Sequence, residues 1–190
     1  MIYIIIGIIL VGGLVFFLIS RNNKPSSDTP SVKVHTPNEN PFFGLRNMAF
    51  TATPEQLGLL LPTNETVVYG VVMDWEIGGA VATVVSYQTG DASLYLSSGG
   101  GVIGGGQHQN VNNVARQFVN LAQTFLDKAV KTETTDLPTT DEIRFYLLTN
   151  KGIFVGKEQM KNFENKSSEW LKLFDAGNNV LTELRLITNR

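Results

Sequence analysis

Residues 66–98 read "TVVYGVVMDWEIGGAVATVVSYQTGDASLYLSS". The β-branched and aromatic runs "TVVYGVVMDW", "AVATVVSY" and "ASLYLSS" favour extended backbone. The first is apolar on both faces, as a strand in the middle of a covered sheet must be. Glu76-Ile77-Gly78-Gly79 and Gln88-Thr89-Gly90-Asp91 separate the three runs. Connections that short, carrying glycine, join antiparallel neighbours. The stretch predicts an antiparallel meander.

The flanking sequence supplies helices and further strands. Upstream, "TPEQLGLLLP" (residues 53–62) carries a capping box, with Thr53 at the N-cap, Pro54 at the first helical position and Gln56 at the third. It predicts a short helix closed by Pro62. Downstream, Val111, Val114, Ala115, Phe118, Leu121, Ala122, Phe125, Leu126 and Ala129 recur at helical spacing after Asn110. "EIRFYLLTN-KG-IFVGKE" predicts a second hairpin, turning at Asn150-Lys151-Gly152. "SSEWLKLFDAGNNVLTELRLI" predicts two short helices broken at Asp175-Ala176-Gly177. The expected order is α-βββ-α-ββ-α, an α+β domain with a mainly antiparallel sheet of about five strands and packed helices.

The N-terminal end differs in kind. Residues 2–20, "IYIIIGIILVGGLVFFLIS", carry no charge and show no polar face. As a helix they rise about 28 Å, close to the roughly 30 Å hydrocarbon core of a bilayer. No basic residue precedes the run and no A-x-A-like site follows it, so a retained anchor fits better than a cleaved signal peptide. Residues 21–41, rich in Pro, Ser, Asn and Thr, bury too little apolar surface to order themselves. The expected organisation is a transmembrane anchor at 1–20, a flexible linker at 21–41 and a globular α+β domain at 42–190. Arg21, Lys24 and Lys33 flank the anchor's C-terminal end, which favours a single-pass cell-membrane protein with a cytoplasmic C-terminal domain.

Composition removes several function classes. The chain of 190 residues has no cysteine, which excludes disulfides, thiolate metal sites and cysteine nucleophiles. A net charge of −2 with no Lys/Arg run argues against a nucleic-acid partner.

The candidate site is the loop after the meander. Gly99, Gly100, Gly101, Gly104, Gly105 and Gly106 frame Val102 and Ile103, and His108 follows. Gly99-x-Gly101-x-x-Gly104 formally matches a dinucleotide fingerprint. The fingerprint needs a parallel strand after its helix, whereas this loop follows an antiparallel meander. The GK[ST] ending of a P-loop is absent. Three readings remain: a β-to-α connection in which glycine only permits positive φ, a set of loop amides near a helix N-terminus that binds an anion, and an apolar tip, Val102-Ile103 held out by glycines, that docks on a protein partner or on a second copy of the chain. A competing reading is a small hydrolase or nucleotide-binding enzyme using Asp74, His108 and the loop amides. It requires those groups to converge in one pocket. No catalytic residue, metal or cofactor is assigned.

Three segments, "GDASLYLSSGGGVIGGG" (90–106), "RFYLLT" (144–149) and "LTELR" (181–185), together resemble a family of uncharacterised small bacterial proteins. The likeness spans most of the chain from residue 67 onward and implies no activity. The expected architecture, an antiparallel sheet with a central and a terminal helix, is similar to roadblock/longin/profilin-like domains. That similarity implies partner binding, although in that group the helix follows two strands rather than three. The expectation is therefore a membrane-anchored adaptor or scaffold domain.

Overall fold

The valine-rich runs form the centre of a sheet that is buried on both faces. The structure is a computed structural model that describes residues 40–188. In chain order its elements begin with α1 (Phe42–Thr51), β1 (Val68–Ile77), β2 (Ala80–Tyr87), β3 (Ala92–Leu96) and β4 (Gly101–Val102). A 3-10 turn (Gly105–Gln107), α2 (Gln109–Gln123), a second 3-10 turn (Leu126–Lys128) and β5 (Val130–Thr132) follow. β6 (Glu142–Thr149), β7 (Gly152–Gln159), α3 (Met160–Glu164) and α4 (Leu171–Thr188) complete it.

The described residues form an α+β architecture with a seven-stranded sheet in the order β4-β3-β2-β1-β6-β7-β5. Every neighbouring pair is antiparallel. Successive strand residues point to opposite faces, and each face has its own cover. Val71 and Met73 of β1 join a core with Phe118 of α2, Leu173 and Leu184 of α4, and Trp170. Val72 joins a second core with Phe42 and Ala49 of α1, Val85, Tyr146 and Leu148, and Tyr69 reaches that same face because the β1–β6 register shifts between Val68 and Gly70.

This fold corrects the expected one in several places. The sheet has seven strands rather than about five, because β4 and β5 are additional. Both are very short, and β4 lies within the glycine loop, where composition masks extended backbone. The capping box at residue 53 does form: the Thr53 amide donates to Gln56 Oε1 at 2.9 Å and the Gln56 amide to Thr53 Oγ1 at 3.3 Å. No helix follows it, because Gly58 turns to φ +69° after one turn and the Leu59 amide closes on the Pro54 carbonyl. The first helix is instead α1, at a segment read as the start of the domain without a helix.

α2 stops at Gln123, short of Ala129. Phe125 instead packs back on Trp170, with ring centroids 5.4 Å apart. The expected break at Asp175-Ala176-Gly177 is absent, since α4 runs through it. Gly177 serves close approach: a Cβ there would lie 2.6 Å from Met73 Sδ and 3.2 Å from Phe118, so glycine lets α4 sit tightly on β1 and α2. Among the described residues, no helix is long and apolar enough to cross a membrane. The expected transmembrane helix at 1–20 and linker residues 21–39 lie outside the described residues.

Candidate functional site

The glycine loop is anchored at both ends and open between them. At its start the Ser97 amide donates to the Val81 carbonyl at 2.8 Å, and the Val81 amide donates to Ser97 Oγ at 2.7 Å. The Ser97 carbonyl accepts the Asn40 side-chain amide at 2.5 Å. At its end Asn112 Nδ2 donates to the Gly106 and Thr89 carbonyls, each at 3.2 Å. Arg116 reinforces that clamp through the Thr89 carbonyl at 2.6 Å. Gly105 is buried, and a Cβ there would sit 2.5 Å from Leu184.

Between the anchors the chain makes β4. Gly101 pairs with Tyr95 and Val102 with Leu94. Gly101 has φ +149°, and a Cβ on it would lie 2.1 Å from the Leu94 carbonyl oxygen. Only glycine fits there. Gly99, Gly100, Gly101, Gly104 and His108 are exposed and Gly106 is half-buried. Val102 turns back toward the sheet, whereas Ile103 stands out with 67% of its surface exposed.

The amides of Gly99, Gly104 and His108 are engaged by the Leu96 carbonyl, Ser93 Oγ and the Gly105 carbonyl. Those three donors are spent inside the loop and do not cradle an anion. His108 lies at the start of α2 and makes no side-chain cap.

Val102 borders an apolar groove of about 550 Å³. Its floor is one face of the sheet: Trp75 and Ile77 from β1, Leu94 and Leu96 from β3, Val102 from β4. These are alternating positions, so they share the face that α4 covers. Leu181 and Arg185 of α4 form the other wall. Ile77, at the tip of the β1–β2 hairpin, is 49% exposed.

Asp74 has a different role from the one sequence reasoning offered it. It is fully buried on the α1 side of β1. Arg46 donates to Asp74 Oδ2 from Nε at 3.0 Å and from Nη2 at 2.5 Å, while the Thr83 hydroxyl donates to Oδ1 at 2.5 Å. Arg46 Nη1 also donates to the Thr135 carbonyl at 2.8 Å, and its guanidinium lies 4.8 Å from the centre of the Phe50 ring. The network pins α1 to the sheet. α2, which His108 immediately precedes, packs on the opposite face, so the structure does not bring Asp74 and His108 together. Sequence reasoning missed Arg46. The available signal was a lone arginine within "FFGLRNMAF", matched by a lone aspartate within an apolar strand.

Tyrosines reinforce the same layer. Tyr87 donates its hydroxyl to the Ala49 carbonyl at 2.8 Å, and Tyr69 to the Ala52 carbonyl at 2.9 Å. Burial pushes both phenols above their ordinary value, with Tyr95 adding to the effect at Tyr87 and Glu55 at Tyr69. At the start of β6, burial alone would raise the Glu142 carboxyl. The Thr139 hydroxyl and the Arg144 guanidinium outweigh that and hold it below the usual range.

Among the described residues, no group of three or more His, Asp or Glu is placed to hold a metal ion. Comparison of the chain with protein-family models, with curated proteins and with solved structures gives no match in any of the three.

Proposed function

We propose that this domain binds a protein partner through the Ile103 tip and the adjoining groove, as an adaptor or scaffold at a membrane. The observation that carries the reading is the contrast within one loop. Its ends are fixed by hydrogen bonds to β2, β3 and α2, while a large aliphatic side chain is left 67% exposed at its middle. An apolar group held rigidly in water loses little conformational freedom on docking, which favours an interface anchor. The uncharged run at residues 2–20 supports a membrane location, and Arg21, Lys24 and Lys33 support a cytoplasmic side.

The test is affinity purification of the full-length chain beside its Ile103→Asp variant. Ile103 is exposed, so the variant keeps its fold, and capture of the specific partner falls about tenfold or more. An unchanged set of co-purifying proteins would refute the reading. Val102→Asp, in the groove floor, is expected to act in the same direction.

A further inference from the structure

The groove has a charge pattern that specifies its occupant, and the inference below rests on the partner-binding reading above. Among the described residues, Arg185 is the one charged side chain that lines it. No carboxylate among the described residues pairs with Arg185. Its helical neighbours at the spacings that bring side chains together are Leu181, Thr182 and Thr188, none of them acidic. The sheet side of the groove offers no acid either. Glu76 points to the other face, where its carboxylate accepts the Gly79 amide at 2.5 Å and the Asp141 amide at 2.6 Å. Among the described residues, an exposed guanidinium thus stands at the rim of an apolar groove without a counter-charge, and its planar fork suits a carboxylate.

A second feature separates a peptide from an acyl chain. The Leu96 amide donates to the Gly100 carbonyl, and Val102 pairs with Leu94. By the alternation of an antiparallel ladder, the N–H and C=O of Gly101 then point away from β3. β4 is the edge strand, and Gly101 borders the groove. A peptide meets those backbone groups with its own, and an acyl chain leaves them unmet.

We infer that the groove takes an aliphatic peptide segment of the partner protein, with an acidic side chain that pairs with Arg185. The test uses the full-length chain with methyl NMR on Ile77 and Val102, and three probe peptides, LVELI, LVQLI and LVKLI, each capped at both ends. LVELI shifts both residues and binds about fivefold more tightly than LVQLI, with LVKLI weakest. In Arg185→Glu, a change at an exposed position, the order inverts and LVKLI binds best.

Equal binding of LVELI and LVQLI would overturn the inference. If Ile103→Asp still abolished partner capture, the partner-binding reading would survive that result. Failure of all three peptides to shift the groove residues would remove the groove as a peptide site. Tighter binding of decanoate than of LVELI would replace the peptide with an acyl chain and equally overturn the inference.

Discussion

Replacing Arg46 with methionine tests the way α1 is held on the sheet. The change keeps most of the side chain's apolar length and removes the guanidinium. Asp74, with no exposed surface, then keeps only the Thr83 hydroxyl and loses both charged donors. Removing one partner of a buried ion pair costs about 3–5 kcal/mol, because the other charge stays buried without compensation. Against a total stability of about 5–15 kcal/mol, that is a large share. At roughly 2–4 °C per kcal/mol for a domain of this size, the melting temperature should fall by about 6–20 °C.

The control is the triple variant Arg46→Met, Asp74→Leu, Thr83→Val, which replaces the whole network with apolar groups. It should recover most of the loss, since a buried pair exchanged for packed hydrophobic residues is often neutral or better. Urea unfolding of the full-length chain, followed by the fluorescence of Trp75 and Trp170, reads both. A loss below about 1 kcal/mol for Arg46→Met, or a triple variant no more stable than the single one, would show that the Arg46–Asp74 pair does not hold α1 on the sheet.

Two further predictions concern pH and the loop. Tyr69 and Tyr87 titrate above their ordinary value of 10.0 in the folded chain, so their contribution is complete below pH 10 and is lost as pH rises past it. Alkaline titration should therefore release α1 together with tyrosinate formation, and Tyr87→Phe should remove part of that pH dependence; a melting temperature flat through this range would contradict the assignment. Gly101→Ala places a methyl against the Leu94 carbonyl at a φ that side chains avoid, at a cost of about 1–3 kcal/mol. Hydrogen exchange should show the opening confined to β3 and β4, whereas protection equal to that of the parent chain would show that β4 tolerates the change.

Several elements were legible in the sequence because the signal was local and repeated. The β-branched runs mark β1, β2, β3, β6 and β7, and the period of apolar residues marks the body of α2. The misses have physical reasons. Gly177 reads as a helix breaker, but packing of α4 against Met73 and Phe118 overrides its low helical propensity. The Thr53 capping box is a genuine start signal whose helix is stopped by Gly58 at once. β4 and β5 depend on pairing with a neighbour and leave no periodicity of their own.

The candidate site was legible only in part. The glycine frame around Val102 and Ile103 is visible as composition. The groove needs residues from β1, β3, β4 and α4, up to more than a hundred positions apart, which no local pattern reports. Asp74 was legible as an unusual acid, but its partner Arg46 lies on the far side of a long connection.

The contact proposed between Ile103 and a protein partner is directly measurable. Site-specific photocross-linking in the native cell tests it most directly, with the cross-linker at position 103 and, as a control, at the almost fully exposed Leu60. A discrete adduct with one protein is expected from position 103 and none from position 60. The same diffuse products from both positions, or no adduct from position 103, would contradict that contact.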